Sequence, residues 1–176
     1  MKYPTLEKLV DIIAVLRSEN GCEWDREQTH KSLRPNMLEE AYEAVDAIDE
    51  GDISNLREEL GDVLLQVVLH AQIAKDDGEF DIEDVAKELS DKLIHRHPHV
   101  FGNTEVHSTQ EILDNWDKLK KEEKTYRKSV LDGISKSQSA LMSAQKISKK
   151  VVKVGFEWDC VDSLKNCIQS EYKEFE

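Results

Sequence analysis

Proline, glycine and long apolar runs are all scarce in this chain. Three prolines and seven glycines interrupt 176 residues, and apolar residues recur mostly at helical spacing, so the sequence predicts an all-α fold. No run approaches the roughly 18 apolar residues of a membrane span, and the N-terminal segment carries acids where a signal peptide carries none. We therefore expect a cytoplasmic protein with no membrane partner.

Positive charge is also in short supply. Lys and Arg number 24 against 37 Asp and Glu, a net charge of -13. Such a field repels a phosphate backbone, and with no evident basic stripe to override it we expect no nucleic-acid polymer as partner. A small anion remains possible if a cation accompanies it. Cys22, Cys160 and Cys167 have no paired metal-ligand spacing and fit reduced, structural thiols.

Apolar spacing and capping residues divide the chain into predicted helices. These cover about residues 5–19, 35–50, 53–75, 82–97, 109–124 and 137–153. Thr5, Asp81 and either Ser108 or Thr109 are the expected N-caps, and Pro35 opens the second helix. The helix over 53–75 has the widest apolar stripe, so we expect it to be central.

A partial repeat suggests more than one unit. "GCEWD" at residues 21–25 recurs as "GFEWD" at residues 155–159, and Glu171 and Glu174 then repeat the spacing of Glu40 and Glu43. The polar stretch "SVLDGISKSQS" between the copies has linker composition. The predicted organisation is a first domain over residues 1–128, a linker and helix over 129–154, and the start of a truncated second unit over 155–176.

Two pairs of carboxylates flank the turn at Gly51-Asp52. Glu40 and Glu43 are three residues apart on one predicted helix, and Glu59 and Asp62 have the same spacing on the next, so each pair shares a helix face. The short connection predicts an antiparallel hairpin, with Glu43 and Glu59 at similar heights. The four carboxylates would then converge on one groove.

Converging carboxylates repel one another unless protons or a cation neutralise them. Hard oxygen ligands of this kind favour Mg²⁺, with Mn²⁺ as a substitute, over soft metals. A plainer interpretation is a solvated acidic face, because Glu is a strong helix former and such pairs arise by chance in acidic helices. The matched pairs on either side of one short turn favour a metal site.

The order of the motifs also resembles a known family. "CEWDREQTHKSL", "LEEAYEAVDAI", "LREELGDVLLQVVLHAQIA" and "DKLIHRHPHVF" are similar to segments of the MazG family of nucleoside triphosphate pyrophosphohydrolases, over about residues 6–124. The resemblance implies an all-α MazG-like bundle, usually a homodimer, that converts a nucleoside triphosphate and water to a nucleoside monophosphate and pyrophosphate with Mg²⁺. Many members carry two such units in tandem, which fits the repeat.

The resemblance also implies roles for individual residues. The family pattern EExxE, a spacer and ExxD places the metal ligands at Glu40, Glu43, Glu59 and Asp62, and Glu39 completes it. Our hypothesis is in-line attack on the α-phosphorus by metal-activated water, with a carboxylate such as Glu39 as base.

Basic and aromatic side chains are the candidates for holding the substrate. Lys92 and Arg96 lie four apart on one predicted helix, with Lys118 and Lys121 on the next, although each could be a snorkelling surface cation. Trp24 and Trp116 lie in or beside the family-like segments and could contact a base, although packing is the commoner role of Trp.

Two questions remain, namely the role of the histidines in "HRHPHVF" and the functions that compete with the enzyme. His95, His97 and His99 do not share a helix face, and Pro98 interrupts the helix, so a helix-ending role is favoured over zinc, with contact with a substrate phosphate as the other alternative. The alternatives to the enzyme are a nucleotide-binding or regulatory helical module with little turnover, and a plain helical scaffold. Mg²⁺-dependent stabilisation would count against the scaffold.

Overall fold

A computed structural model describes residues 4–175, and within that range the chain is helical, with no strand. The all-α prediction is confirmed. The helices are α1 (Pro4–Arg17), α2 (Glu23–Glu27), α3 (Arg34–Glu50), α4 (Ile53–Asp76), α5 (Ile82–Arg96), α6 (Pro98–Phe101), α7 (Thr109–Glu122), α8 (Ala140–Val152) and α9 (Val161–Phe175). None of the helices between residues 4 and 175 combines the length and apolar character that crossing a bilayer requires.

The chain divides into two compact units, and the first ends at Thr104. Its core joins Ile13 of α1 and Leu33 to a cluster on α4, formed by Val68, Leu69 and Ile73. Helix α4 supplies more buried residues than any other helix of this unit, which confirms that it is central. Burial of these apolar side chains is the main driving force for the arrangement.

The hairpin of α3 and α4 forms as the sequence predicts. Gly51 ends α3 in the left-handed region (φ 70°), where its N–H donates to the carbonyls of Ala47 and Ile48; glycine adopts this conformation without a steric penalty. Asp52 then caps α4 by accepting hydrogen bonds from the N–H groups of Ser54 (2.9 Å) and Asn55 (3.0 Å). A helix stop and a helix start in adjacent residues turn the chain back on itself.

Of two predicted N-caps and one predicted helix start, the structure confirms one cap. Asp81 caps α5 in a capping box with Asp84, as expected. Helix α1 begins at Pro4, so Thr5 lies inside the helix, and the prediction that it caps α1 is wrong. The predicted start of α3 at Pro35 is one residue late, since α3 begins at Arg34.

Helices α2 and α6 lie between the helices that the sequence predicts. The side chain of Cys22, the N-cap residue of α2, makes no capping hydrogen bond. The end of α2 depends instead on Arg17 of α1, whose Nη1 donates to the carbonyls of Asp25 (2.5 Å) and Gln28 (3.2 Å). Because this support comes from another helix, the local pattern does not reveal it.

The second unit begins at Glu105 and contains α7, α8 and α9. Ser108 caps α7 by accepting from the Glu111 N–H, which confirms one of the two expected caps, and Ser139 caps α8 in the same way. No residue of these three helices is fully buried. The division falls between Thr104 and Glu105, whereas the domain boundary at residue 128 came from motif content and stays a prediction.

Candidate metal centre

Three carboxylates converge on the side of the α3–α4 hairpin. One oxygen from each of Glu40, Glu43 and Glu59 can be chosen so that all three lie within 4.8 Å of one another. Glu40 and Glu59 are half-buried and Glu43 is exposed. Among residues 4–175, no other group of three His, Cys, Asp or Glu side chains is arranged so closely.

Asp62 lies close to this triad without belonging to it. It is half-buried on α4, three residues after Glu59, and its charge raises the pKa values of both Glu40 and Glu59. Glu39 is exposed on α3, and its charge also raises the pKa of Glu40. The structure therefore brings three of the four predicted ligands together and places the fourth within electrostatic reach.

Burial and mutual repulsion both disfavour the charged forms of these side chains. Burial is the first cause of the raised pKa of Glu40, and Asp62, Glu43, Glu39 and Glu59 follow as repelling charges. A carboxyl that is partly removed from water and surrounded by like charges holds its proton more tightly.

Glu59 shows the same behaviour. Its pKa is raised by burial first, then by the charges of Glu43, Asp62 and Glu58, and by a side-chain hydrogen bond with Glu43. A hydrogen bond between two carboxyl groups requires a proton on one of them. The sequence prediction gave Glu58 no role. Its effect on the pKa of Glu59 follows from its position next to Glu59 in the chain.

The donor set fits a hard divalent cation. It consists of oxygen ligands alone, from residues on two antiparallel helices, and has an exposed member at its edge. A bound cation would take the place of the proton between Glu43 and Glu59 and would offset the repulsion among the carboxylates. Carboxylates are the protein ligands that Mg²⁺ and Mn²⁺ prefer. Which of the carboxylates bind the ion remains a prediction.

The predicted substrate-binding residues are spread over both units. In the first unit, Trp24 on α2 is 57% exposed, Lys92 on α5 pairs with Glu88 of its own helix at 3.5 Å, and Arg96 is half-buried on α5. In the second unit, Trp116 and Lys118 are exposed residues of α7. Their roles stay predictions.

His97 takes part in ending α5. Its Nδ1 lies 2.6 Å from the carbonyl oxygen of Leu93, and its ring packs at a tilt against that of His99, with centroids 5.7 Å apart. These contacts agree with the helix-ending role that we favoured for this segment.

The sequence prediction missed a histidine pair. His30, in the loop before α3, and His70, on α4, stack with their ring centroids 5.0 Å apart and their planes 6° from parallel. Burial, and then the charge of His30, lowers the pKa of His70. The two residues are 40 positions apart, so no local spacing could have revealed the contact.

Comparisons with known proteins agree with this geometry. Residues 28–101 match the model of the MazG nucleotide pyrophosphohydrolase domain, a span that includes Glu39 and all four predicted ligands. A crystal structure of a MazG-related protein from Thermotoga maritima superposes with a TM-score of 0.56 at 31% identity and covers 65% of this chain and 98% of that protein.

Curated relatives extend the similarity along the chain. The chain is 48% identical over 169 residues to a nucleoside triphosphate pyrophosphohydrolase/pyrophosphatase MazG of Thermotoga maritima. It is 44% identical over 172 residues to a nucleoside triphosphate pyrophosphohydrolase of Escherichia coli. Each alignment covers 96% of this chain but 65% of the relative, so the chain spans about two thirds of the length of these relatives.

Proposed function

Because the chain belongs to the MazG nucleotide pyrophosphohydrolase family, we propose that it hydrolyses nucleoside triphosphates to nucleoside monophosphate and pyrophosphate with Mg²⁺. The observation that carries this proposal is the convergence of Glu40, Glu43 and Glu59. Their positions match the ligands that the family pattern implies. The names of the relatives support the substrate class.

The carboxylates have two tasks in the proposed reaction. Glu40, Glu43, Glu59 and Asp62 would hold Mg²⁺, which when bound supplies positive charge to the phosphate oxygens and lowers the pKa of water. Glu39 is exposed beside Glu40 and is our candidate for the base that accepts the proton of the attacking water. No nucleophilic side chain is needed, because water attacks the α-phosphorus in line with the departing pyrophosphate.

Basic and aromatic residues would hold the rest of the nucleotide. Lys92 and Arg96 of α5, and Lys118 of α7, are proposed to bind phosphate oxygens through charge-assisted hydrogen bonds. Trp24 and Trp116 are proposed to contact the base. With Trp24 57% exposed, its ring has free area for stacking.

We also propose that the chain forms a homodimer through the α3–α4 hairpin. Large apolar side chains on these helices lie open to solvent, with Tyr42 60% and Leu60 54% exposed. The other exposed apolar residues of the hairpin are Leu38, Val45, Ile48, Ile53 and Leu64. A monomer rarely leaves so many large apolar groups uncovered on two adjacent helices, and a second copy could bury them across a two-fold axis.

Cellular setting and domain organisation complete the proposal. The three free cysteines fit a reducing compartment, and with nucleotides as substrates they support a cytoplasmic location. We retain the domain organisation predicted from the motifs, with a MazG-like domain over residues 1–128, a linker and helix over 129–154, and the start of a second MazG-like copy over 155–176.

The test is product analysis with Mg²⁺ and a panel of nucleoside triphosphates. The wild type is expected to release nucleoside monophosphate and pyrophosphate, and Glu40→Gln and Asp62→Asn are expected to lose most of that activity. Glu50→Gln is the matched control, since Glu50 is an exposed acid at the end of α3 outside the triad. In oxygen-18 water, the label should enter the monophosphate.

Other outcomes would change the assignment. Metal-dependent nucleotide binding without turnover would favour the regulatory module. The absence of both binding and turnover would leave a helical scaffold. Label in pyrophosphate would contradict attack at the α-phosphorus.

A further inference from the structure

The second unit contains a strongly basic segment that the net charge of the whole chain conceals. Residues 118–153 carry 11 Lys and Arg against 3 Asp and Glu, an excess of eight positive charges in a chain whose net charge is -13. Our sequence-based statement that no basic stripe is evident was therefore wrong for this segment. Local charge, and not the total, decides which anions a surface attracts.

Part of this charge is concentrated around one lysine of α8. Lys150 is half-buried, and its pKa is lowered first by that burial and then by the positive charges of Arg127, Lys120 and Lys146, with Asp132 the opposing charge. Three cations and one carboxylate therefore act on Lys150. Like charges that act on one group are unfavourable without a compensating anion.

Backbone hydrogen bonds hold Lys150 in place. Its Nζ donates to the carbonyls of Val130 (2.7 Å) and Asp132 (3.0 Å). The Asp132 carboxylate accepts from the N–H groups of Lys128 (2.7 Å) and Ser129 (2.9 Å). These contacts fix the loop over residues 128–132 on α8, so the cluster is a formed feature of the unit.

Arg127 has one buried hydrogen-bond donor that is unused within the described residues, its Nε. Its Nε is buried, and within residues 4–175 no acceptor lies at hydrogen-bonding distance from it. The guanidinium lies over the backbone of Gly133, where a Cβ would come within 2.1 Å of Nη2. A buried donor without an acceptor costs free energy, and a bound oxyanion would remove that cost.

We propose that Arg127, Lys146 and Lys150 form an oxyanion site for a phosphate group within the second unit. Arg127 would donate to the phosphate oxygens, the guanidinium being the protein group best matched to their geometry. Lys146, exposed one turn before Lys150 on α8, would supply a second charge. Lys150 would stay on its two carbonyls and add its field.

Inorganic pyrophosphate is the probe for calorimetric titration of the whole chain. EDTA in the buffer prevents phosphate from binding through a metal at the carboxylates, so this test does not depend on the proposed hydrolysis. NaCl keeps the ionic strength constant. Because charge-assisted hydrogen bonds to the phosphate would be lost, Arg127→Gln is expected to weaken binding by about tenfold or more.

Two further variants separate a specific site from general charge. Lys146→Gln removes an exposed cation with little risk to folding and is expected to weaken binding several-fold. Lys173→Gln removes one positive charge from α9, outside the group acting on Lys150, and is expected to bind pyrophosphate as the wild type does. Equal losses in all three variants would show nonspecific attraction and overturn the proposal.

Titration with ATP beside pyrophosphate distinguishes a nucleotide phosphate from the free anion as the ligand of this site. Saturable binding of ATP that is equally sensitive to Arg127→Gln would show that nucleotide phosphates enter the site, whereas binding of pyrophosphate alone would assign it to the free anion. The absence of saturable binding would overturn the proposal. Binding of an RNA oligonucleotide in place of pyrophosphate would do the same and would favour a nucleic-acid partner.

Discussion

The Nδ1 atoms of His30 and His70 lie 2.7 Å apart, which joins the loop before α3 to the central helix. At that distance one ring donates and the other accepts, so the contact tolerates a proton on one Nδ1 but not on both. The lowered pKa of His70 expresses the same constraint, because its charged form is disfavoured by burial and by His30.

This contact predicts a loss of stability in mild acid. The ordinary pKa of His70 is 6.5, and in the folded protein it is lower. The unfolded chain therefore binds the proton more readily, and stability that is present above about pH 6.5 falls as the pH drops through and below that value. His70→Gln should show a shallower fall of the melting temperature between about pH 7 and 5.5.

The carboxylates also titrate in acid, but they are common to both proteins. The informative quantity is therefore the difference between the two pH profiles. Parallel profiles for the wild type and His70→Gln would show that His70 does not take up a proton when the protein unfolds in this pH range.

Arg17 ties three elements of the first unit together. Its Nε pairs with Asp76 of α4 at 2.8 Å, its Nη1 holds the end of α2, and its side chain is 8% exposed. Arg17→Ala is expected to lower the free energy of unfolding by about 2 kcal/mol or more, because several charge-assisted hydrogen bonds are lost together. Denaturant unfolding would measure this.

An exposed ion pair provides the matched control. Lys87 and Asp91 on α5 pair at 2.6 Å, with both side chains more than half exposed. Lys87→Ala should have little effect, because exposed pairs contribute little to stability. If Lys87→Ala lowered the free energy of unfolding as much as Arg17→Ala does, the contacts of Arg17 would be no more stabilising than an exposed ion pair.

The predictable part of the molecule follows from signals within a few residues. Gly51 and Asp52 specify the hairpin, and the spacings of Glu40 with Glu43 and Glu59 with Asp62 then place the carboxylates on facing sides. Three of the missed features depend on contacts between distant residues. Arg17 stabilises α2 from another helix, His30 meets His70 across 40 positions, and Lys150 crosses to the loop of Asp132.

Two glycines should respond in opposite ways to alanine. A Cβ at Gly21 would lie 2.2 Å from the carbonyl oxygen of Leu16, so Gly21→Ala must displace backbone and should cost about 1–3 kcal/mol. Beyond its chain neighbours and the backbone of its own helix, a Cβ at Gly61 would meet no atom of residues 4–175 within 4 Å, so Gly61→Ala should stabilise α4 by about 1 kcal/mol through helix propensity.

Denaturant unfolding of both alanine variants tests these signs. A destabilised Gly61→Ala would show that something outside the described contacts approaches this position in solution. Repeating the measurement at several protein concentrations would show whether that neighbour is a second copy, because only then does the effect depend on concentration.

The raised pKa of Glu59 predicts that Glu59→Gln changes the melting temperature in opposite directions with and without Mg²⁺. Burial and the nearby carboxylates raise that pKa above 4.5, so near pH 7 the charged carboxylate is less favourable in the folded chain than in the unfolded one. Without metal, neutral Glu59→Gln should therefore melt at a higher temperature than the wild type. With Mg²⁺ the order should reverse, because the wild type gains binding energy and the variant has lost a ligand.

Thermal melts at about pH 7.5 in EDTA and in Mg²⁺, with Glu50→Gln as control, provide the comparison. The control should keep the full Mg²⁺-dependent rise of the melting temperature. The metal-free difference between wild type and Glu59→Gln should also shrink as the pH falls toward 4.5, because the folded wild-type carboxyl, with its raised pKa, takes up its proton above that value. If Mg²⁺ stabilised Glu59→Gln as much as the wild type, Glu59 would not be a ligand, and the repulsion at the hairpin would need another explanation.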